Sequence, residues 1–176
     1  MYMALGMHPD ISFSISFLAQ FMQNPGRLHW EVVKWVFHYL KGTKDMCIII
    51  GGSWERLEAY SDADWASQEH HHSISGYVFR IDGGAVSWSS KKQPIVALST
   101  MEAEYIIVTH TDKEALWIHM FLTAEVAWPL VKPLTIHLDN LSESPSPRMM
   151  NITHGPNTST FNTILYAMPS NVDWST

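Results

Sequence analysis

The tripeptide Asp82-Gly83-Gly84 is the feature that most restricts what this chain can become. Asp followed by Gly tolerates the left-handed backbone of a tight turn, so the flanking stretches are driven into an antiparallel pair. Those stretches, GYVFRI at 76–81 and AVSWSS at 85–90, are rich in strand-forming residues. Residues 57–65, LEAYSDADW, read as a further strand, and Met46 to Ile50 is a shorter β-type run turned by Gly51-Gly52. Beyond Pro94, Ser99-Thr100-Met101-Glu102 forms a capping box, with Ser99 at the N-cap and Glu102 at the third helical position. A helix is expected from there until Trp128-Pro129, followed by a last strand, Leu134 to Leu138. Three antiparallel-type strands, a long helix and one more strand make an α/β layer arrangement.

The N-terminal part has a different texture. Residues 10–22 are apolar nearly all round and predict a helix capped by Asp10, which Asn24-Pro25-Gly26 breaks. Leu28, Val32, Trp35, Val36, Tyr39 and Leu40 then share one helical face, and Gly42 ends that helix. Two helices carrying so much Trp and Phe need a packing partner, and neither presents chemistry. The chain therefore divides into a helical segment at 1–45, an α/β domain at 46–142 and a remainder at 143–176. Met1 leads straight into apolar sequence, which reads as the middle of a domain.

Composition excludes some roles. A formal charge of −6 gives no chain-wide basic field for nucleic acid, so any such contact must be local. The single cysteine, Cys47, rules out an internal disulfide and lacks zinc-ligand spacing. No apolar run approaches the roughly 20 residues that span a bilayer, and no signal peptide is present, so no membrane partner and an intracellular location, cytoplasm or nucleus, are expected.

Three carboxylates fall where elements meet: Asp62 in the first long strand, Glu104 in the second turn of the capped helix, Asp139 just after the last strand. Glu104 shares a face with Ile107, Val108, Thr111 and Ala115, so it should sit at the rim of a buried surface. A carboxylate there must be neutralised, and a bound cation does so. Clustered Asp and Glu suit Mg²⁺, and two such ions about 4 Å apart suit attack of water on a phosphodiester. Spacing alone also allows the blander reading of solvated strand-end acids. Asp64 lies on the same strand face as Asp62 and competes with it. Lys91-Lys92 reads either as a phosphate contact or as a solvated pair, and His70-His71-His72 as a solvated loop.

The segments YSDADWA, SISGYVF, GGAVSWSSKKQPIVALSTMEAEYI and EALWI, with LDN after the next strand, resemble the ribonuclease H domain of copia-type long-terminal-repeat retrotransposon polyproteins. MHPDISFSISFLAQFMQNPGRLHWEVVKWVFHYLKGT resembles the last segment of the reverse transcriptase that precedes it. The resemblance covers residues 1–142. It implies a ribonuclease H-like mixed sheet and a reaction on RNA–DNA hybrids that cuts the RNA strand with Mg²⁺ or Mn²⁺. It implies that Asp62, rather than Asp64, bridges two ions, and that Glu104 and Asp139 help hold the second.

In that family the Asp-Asn strand end leads to Gln, a helix, and a segment reading K-H-I-D-I-x-Y-H-F-I, whose Asp is the fourth carboxylate. Here Leu141 follows Asn140, and 18 of the 34 residues from Glu143 to Thr176 are Ser, Pro, Asn or Thr, too polar to build that helix. Back-translation explains the break. Read from the third base of the Glu143 codon, the tail is compatible with the missing segment, and Met149-Met150-Asn151 must encode Asp-Glu. Loss of one base near Glu143 would thus yield a truncated domain and an irregular tail. Three outcomes follow: a working nuclease, a catalytically inactive remnant without its fourth carboxylate, or a non-catalytic nucleic-acid-binding module. The sequence sets no oligomeric state.

Overall fold

The computed structural model describes residues 2–51, 57–66, 71–126 and 134–138, and the backbone of two short strands at 151–153 and 162–166. Its centre is a mixed sheet. Strand β1 (Leu57–Asp64) pairs antiparallel with β2 (Ile74–Ile81), and β2 antiparallel with β3 (Gly84–Lys92). After helix α4 (Thr100–Ala124), β4 (Leu134–Leu138) returns parallel to β1, with Ser61 in register with Leu138. The four-stranded order is β3-β2-β1-β4, and three strands, a long helix and one more strand follow one another along the chain as the sequence signals predict.

The hairpin forms because its two turn residues accept left-handed backbone: Asp82 has φ 44° and Gly83 φ 88°. The Arg80 guanidinium donates to the Gly83 carbonyl oxygen at 3.0 and 3.2 Å and braces the turn. Gly84 opens β3 and has another task. A Cβ there would come within 2.4 Å of Ile50 Cγ1 and 2.7 Å of the Ile49 carbonyl oxygen. The expected strand at Met46–Ile50 is thus corrected: it joins no ladder, and its end lies against Gly84 instead.

Alternation along the strands sends one face to α4. Leu57 and Ala59 of β1, Phe79 and Ile81 of β2, and Leu134, Ile136 and Leu138 of β4 pack with Val108, Ala115, Ile118 and Leu122 of the helix. Phe79, Ile136 and Leu138 are wholly excluded from solvent. The helix starts where the capping box predicts: Ser99 Oγ accepts from the Glu102 amide at 3.2 Å, and a Glu102 carboxylate oxygen accepts from the Leu98 amide at 2.7 Å.

The N-terminal segment holds α1 (Tyr2–Gly6), a 3-10 turn at Pro9–Ile11, α2 (Ser12–Ala19) and α3 (Arg27–Gly42). Asp10 is not the expected helix cap. It lies inside the 3-10 turn, and its carboxylate accepts from the Tyr39 hydroxyl at 2.6 Å, tying that turn to α3. Helix α2 and the 3-10 turn lie against β3, and Trp88 Nε1 of β3 donates to the Ala4 carbonyl of α1 at 2.6 Å. Helix α3 has no buried residue, and Leu28, Trp30, Trp35 and Phe37 stay exposed.

The remainder also departs from expectation. In place of a wholly irregular tail, β5 (Asn151–Thr153) and β6 (Asn162–Tyr166) extend the sheet, with β6 antiparallel to β4 and β5 to β6. The expected helix running on to Trp128 ends at Ala124, and residues 127–133 lie outside the described set.

Candidate active site

The candidate site is built at one end of the sheet, where β1 and β4 finish and α4 begins. In β1 the residues facing α4 are Leu57, Ala59 and Ser61, all buried, so Asp62 and Asp64 belong to the opposite face and are exposed. Asp62 is in register with Gly76 of β2, whose missing side chain leaves room beside it. It lines an open groove of about 440 Å³ with Tyr60, Val78 and His137. His137 stacks on Tyr60, ring centroids 4.6 Å apart, and burial pushes its pKa down against the opposing pull of Glu58.

Glu104 approaches from the helix. It is 5% exposed and lies in the second turn of α4 beside Ala103 and Ile107, the rim position that its apolar neighbours predict. Gln93 fixes the distance between that turn and the sheet. Its Nε2 donates to Ser75 Oγ at 2.7 Å and to the Ala103 carbonyl at 3.0 Å. Ser75 is in register with Ala63, between Asp62 and Asp64 in β1, so Gln93 links the start of the helix to the sheet beside those carboxylates. The sequence singled out the neighbouring lysines and missed this residue, because its partners stand 18 and 10 positions away.

Leu138 ends β4 level with Ser61, one residue before Asp62. Asp139 itself lies outside the described residues, as do the Glu143 region and His70. Among the described residues no three His, Cys, Asp or Glu side chains form a group that could hold a metal ion. The oxygen donors present are of the type that hard cations take. Glu104 brings a carboxylate into a buried setting, and the buried Ser61 Oγ has no hydrogen-bond partner among the described residues. The histidine run is not simply solvated: His71 has φ 57° and is exposed, but the His72 ring Nδ1 lies 2.9 Å from the Gln93 carbonyl oxygen. Among the described residues no helix is long and apolar enough to cross a membrane.

An α/β sheet covered on one face by a long helix sets the fold class, and sequence comparison narrows it. The chain is 47% identical over 123 residues to the retrovirus-related Pol polyprotein from transposon TNT 1-94 of Nicotiana tabacum, covering 69% of this chain and 9% of that protein. It is 42% identical over 135 residues to the corresponding polyprotein from transposon RE2 of Arabidopsis thaliana, covering 76% of this chain and 9% of that protein. A Plasmopara viticola protein named secreted RxLR effector protein 161 is 40% identical over 120 residues, which are 67% of this chain and 84% of that protein. No family model and no solved structure matches. The chain is homologous to retrovirus-related Pol polyproteins of transposons and corresponds to a small part of their length.

Proposed function

We propose that the α/β domain is of the ribonuclease H type, and that its ancestral reaction is metal-dependent hydrolysis of the RNA strand of an RNA–DNA hybrid. The observation that carries this reading is Glu104: a buried carboxylate in the second turn of α4, whose start Gln93 ties to Ser75 of β2, the strand paired with the one that bears Asp62. The sheet order and the transposon Pol relatives support the same reading.

Asp62, Glu104 and Asp139 are the residues that would hold Mg²⁺ or Mn²⁺. Such ions supply the charge that polarises phosphate and water toward hydrolysis. The protein's part is placement. Apolar packing around Ile107 and Val108 orients Glu104, Gln93 keeps the helix start in position, and Gly76 leaves space beside Asp62.

The tail from Glu143 onward supplies no recognisable fourth carboxylate, so the chain as it stands is proposed to be a catalytically inactive remnant. Its tail is read as out of frame by one base. The experiment uses a labelled RNA–DNA hybrid with Mg²⁺ or Mn²⁺, the chain itself, the chain with the reading frame restored, and the Asp62→Asn form of the restored chain. Cleavage is expected from the restored chain alone, with a loss of at least about 100-fold on Asp62→Asn. A restored chain that binds hybrid without cutting it would mark a non-catalytic module, and cleavage that survives Asp62→Asn would remove the proposed site.

A further inference from the structure

A second concavity, of about 470 Å³, opens on the α4 side of the sheet between β2, β3 and the flank of the helix. Lys91 and Lys92 reach it from the end of β3, His110 and Lys113 from α4, and Trp117 closes the far side. These basic groups come from two separate elements that only the fold brings together. The acidic residue of the lining, Glu114, accepts a hydrogen bond from Ser87 Oγ at 2.6 Å. Among the described residues the ion pairs involve His8 with Asp10 and Arg27 with Glu31, so none engages the three lysines. Three lysines around a single carboxylate are an unexpected concentration of cations in a chain of formal charge −6. Trp117 is 58% exposed and stacks on Phe121 at 5.6 Å and 12°, which presents a flat aromatic surface at the end of the basic row.

We infer that this cleft binds the phosphate backbone of a nucleic acid strand, with Lys91, Lys92 and Lys113 on phosphates and Trp117 offering a face to a base. Phosphates spaced along a strand match cations spaced along a groove, and aromatic faces accept any base. Lys91 is in register with Ser75, which faces Ala63 in β1, so β2 alone separates the strand that carries these lysines from the strand that bears Asp62. That the nucleic acid strand belongs to an RNA–DNA hybrid rests on the function proposed above; the contact to phosphate does not.

Binding of labelled RNA–DNA hybrid and of single-stranded DNA, followed by fluorescence anisotropy across a salt series in calcium buffer, tests the cleft without reading cleavage. Lys91→Gln with Lys113→Gln is compared with Lys34→Gln with Lys41→Gln, an equal charge change on α3. The cleft pair should weaken binding roughly tenfold, and should flatten the slope of log affinity against log salt by about 0.9 per lysine for the duplex. The α3 pair should leave the slope unchanged, and Lys91→Arg with Lys113→Arg should keep it. Equal losses from both pairs, an unchanged slope in the cleft pair, or no binding by the parent chain would each overturn the inference. Lysine-dependent binding of single-stranded DNA with no preference for hybrid would uphold the cleft and count against the ribonuclease H reading. A hybrid preference unaffected by the lysines would do the reverse.

Discussion

Single residues here do work that their neighbours in sequence do not announce. Gly84 is required by space: the end of the 46–50 segment occupies the volume a side chain would need, and two of the atoms in the way are backbone. Gly84→Ala should therefore destabilise the fold by roughly 1–3 kcal/mol, read as a lower urea midpoint with an unchanged slope. His137 carries a pH signature. Burial holds its pKa below the ordinary imidazole value of 6.5. The folded state thus binds fewer protons at this site than the unfolded chain does. Stability is expected in full above the unfolded pKa and to decline as pH falls from about 6.5 through the lower folded value. His137→Phe, which keeps an aromatic ring on Tyr60, should remove that part of the decline in unfolding curves collected from pH 7 to pH 5.

At the scale of elements, α4 shows what local sequence can specify. Its capping box rests on residues three apart, so the Ser99 bond to the Glu102 amide was legible before any fold existed, whereas the Glu102 carboxylate accepts from Leu98, one residue before the N-cap amide that the motif implies. Ser99→Ala should cost about 1 kcal/mol in thermal or urea unfolding by orphaning the Glu102 amide. The Asp82-Gly83 turn was legible for the same reason, since two residues set its backbone. Where a signal needs a distant partner, the sequence misleads. Met46 to Ile50 has strand composition yet joins no ladder. Asp10 has the chemistry of a cap, but the Tyr39 hydroxyl engages its carboxylate. Within the candidate site, the burial of Glu104 followed from its apolar helical face, whereas the Gln93 clamp and the His72 contact depend on how β2, β3 and α4 meet.

Across the whole molecule, burial is uneven. One sheet face and α4 enclose the core, while α3 leaves Leu28, Trp30, Trp35 and Phe37 in contact with water. The sequence foresaw that shortage of partners, because two aromatic-rich helices cannot cover each other. It did not foresee that the remainder would add strands to the sheet. Main-chain pairing between β6 and β4 needs only an extended segment of matching length, whatever frame encoded it. A polypeptide stopped after residue 142 would keep β4 and bare its outer row of amides and carbonyls. That form should self-associate edge to edge, seen as a rise in mass by light scattering that the full chain does not show. The place beside β4 is thus filled by a stretch that needs to offer no more than an extended backbone, so a segment of little apolar character can serve the sheet as a neighbour.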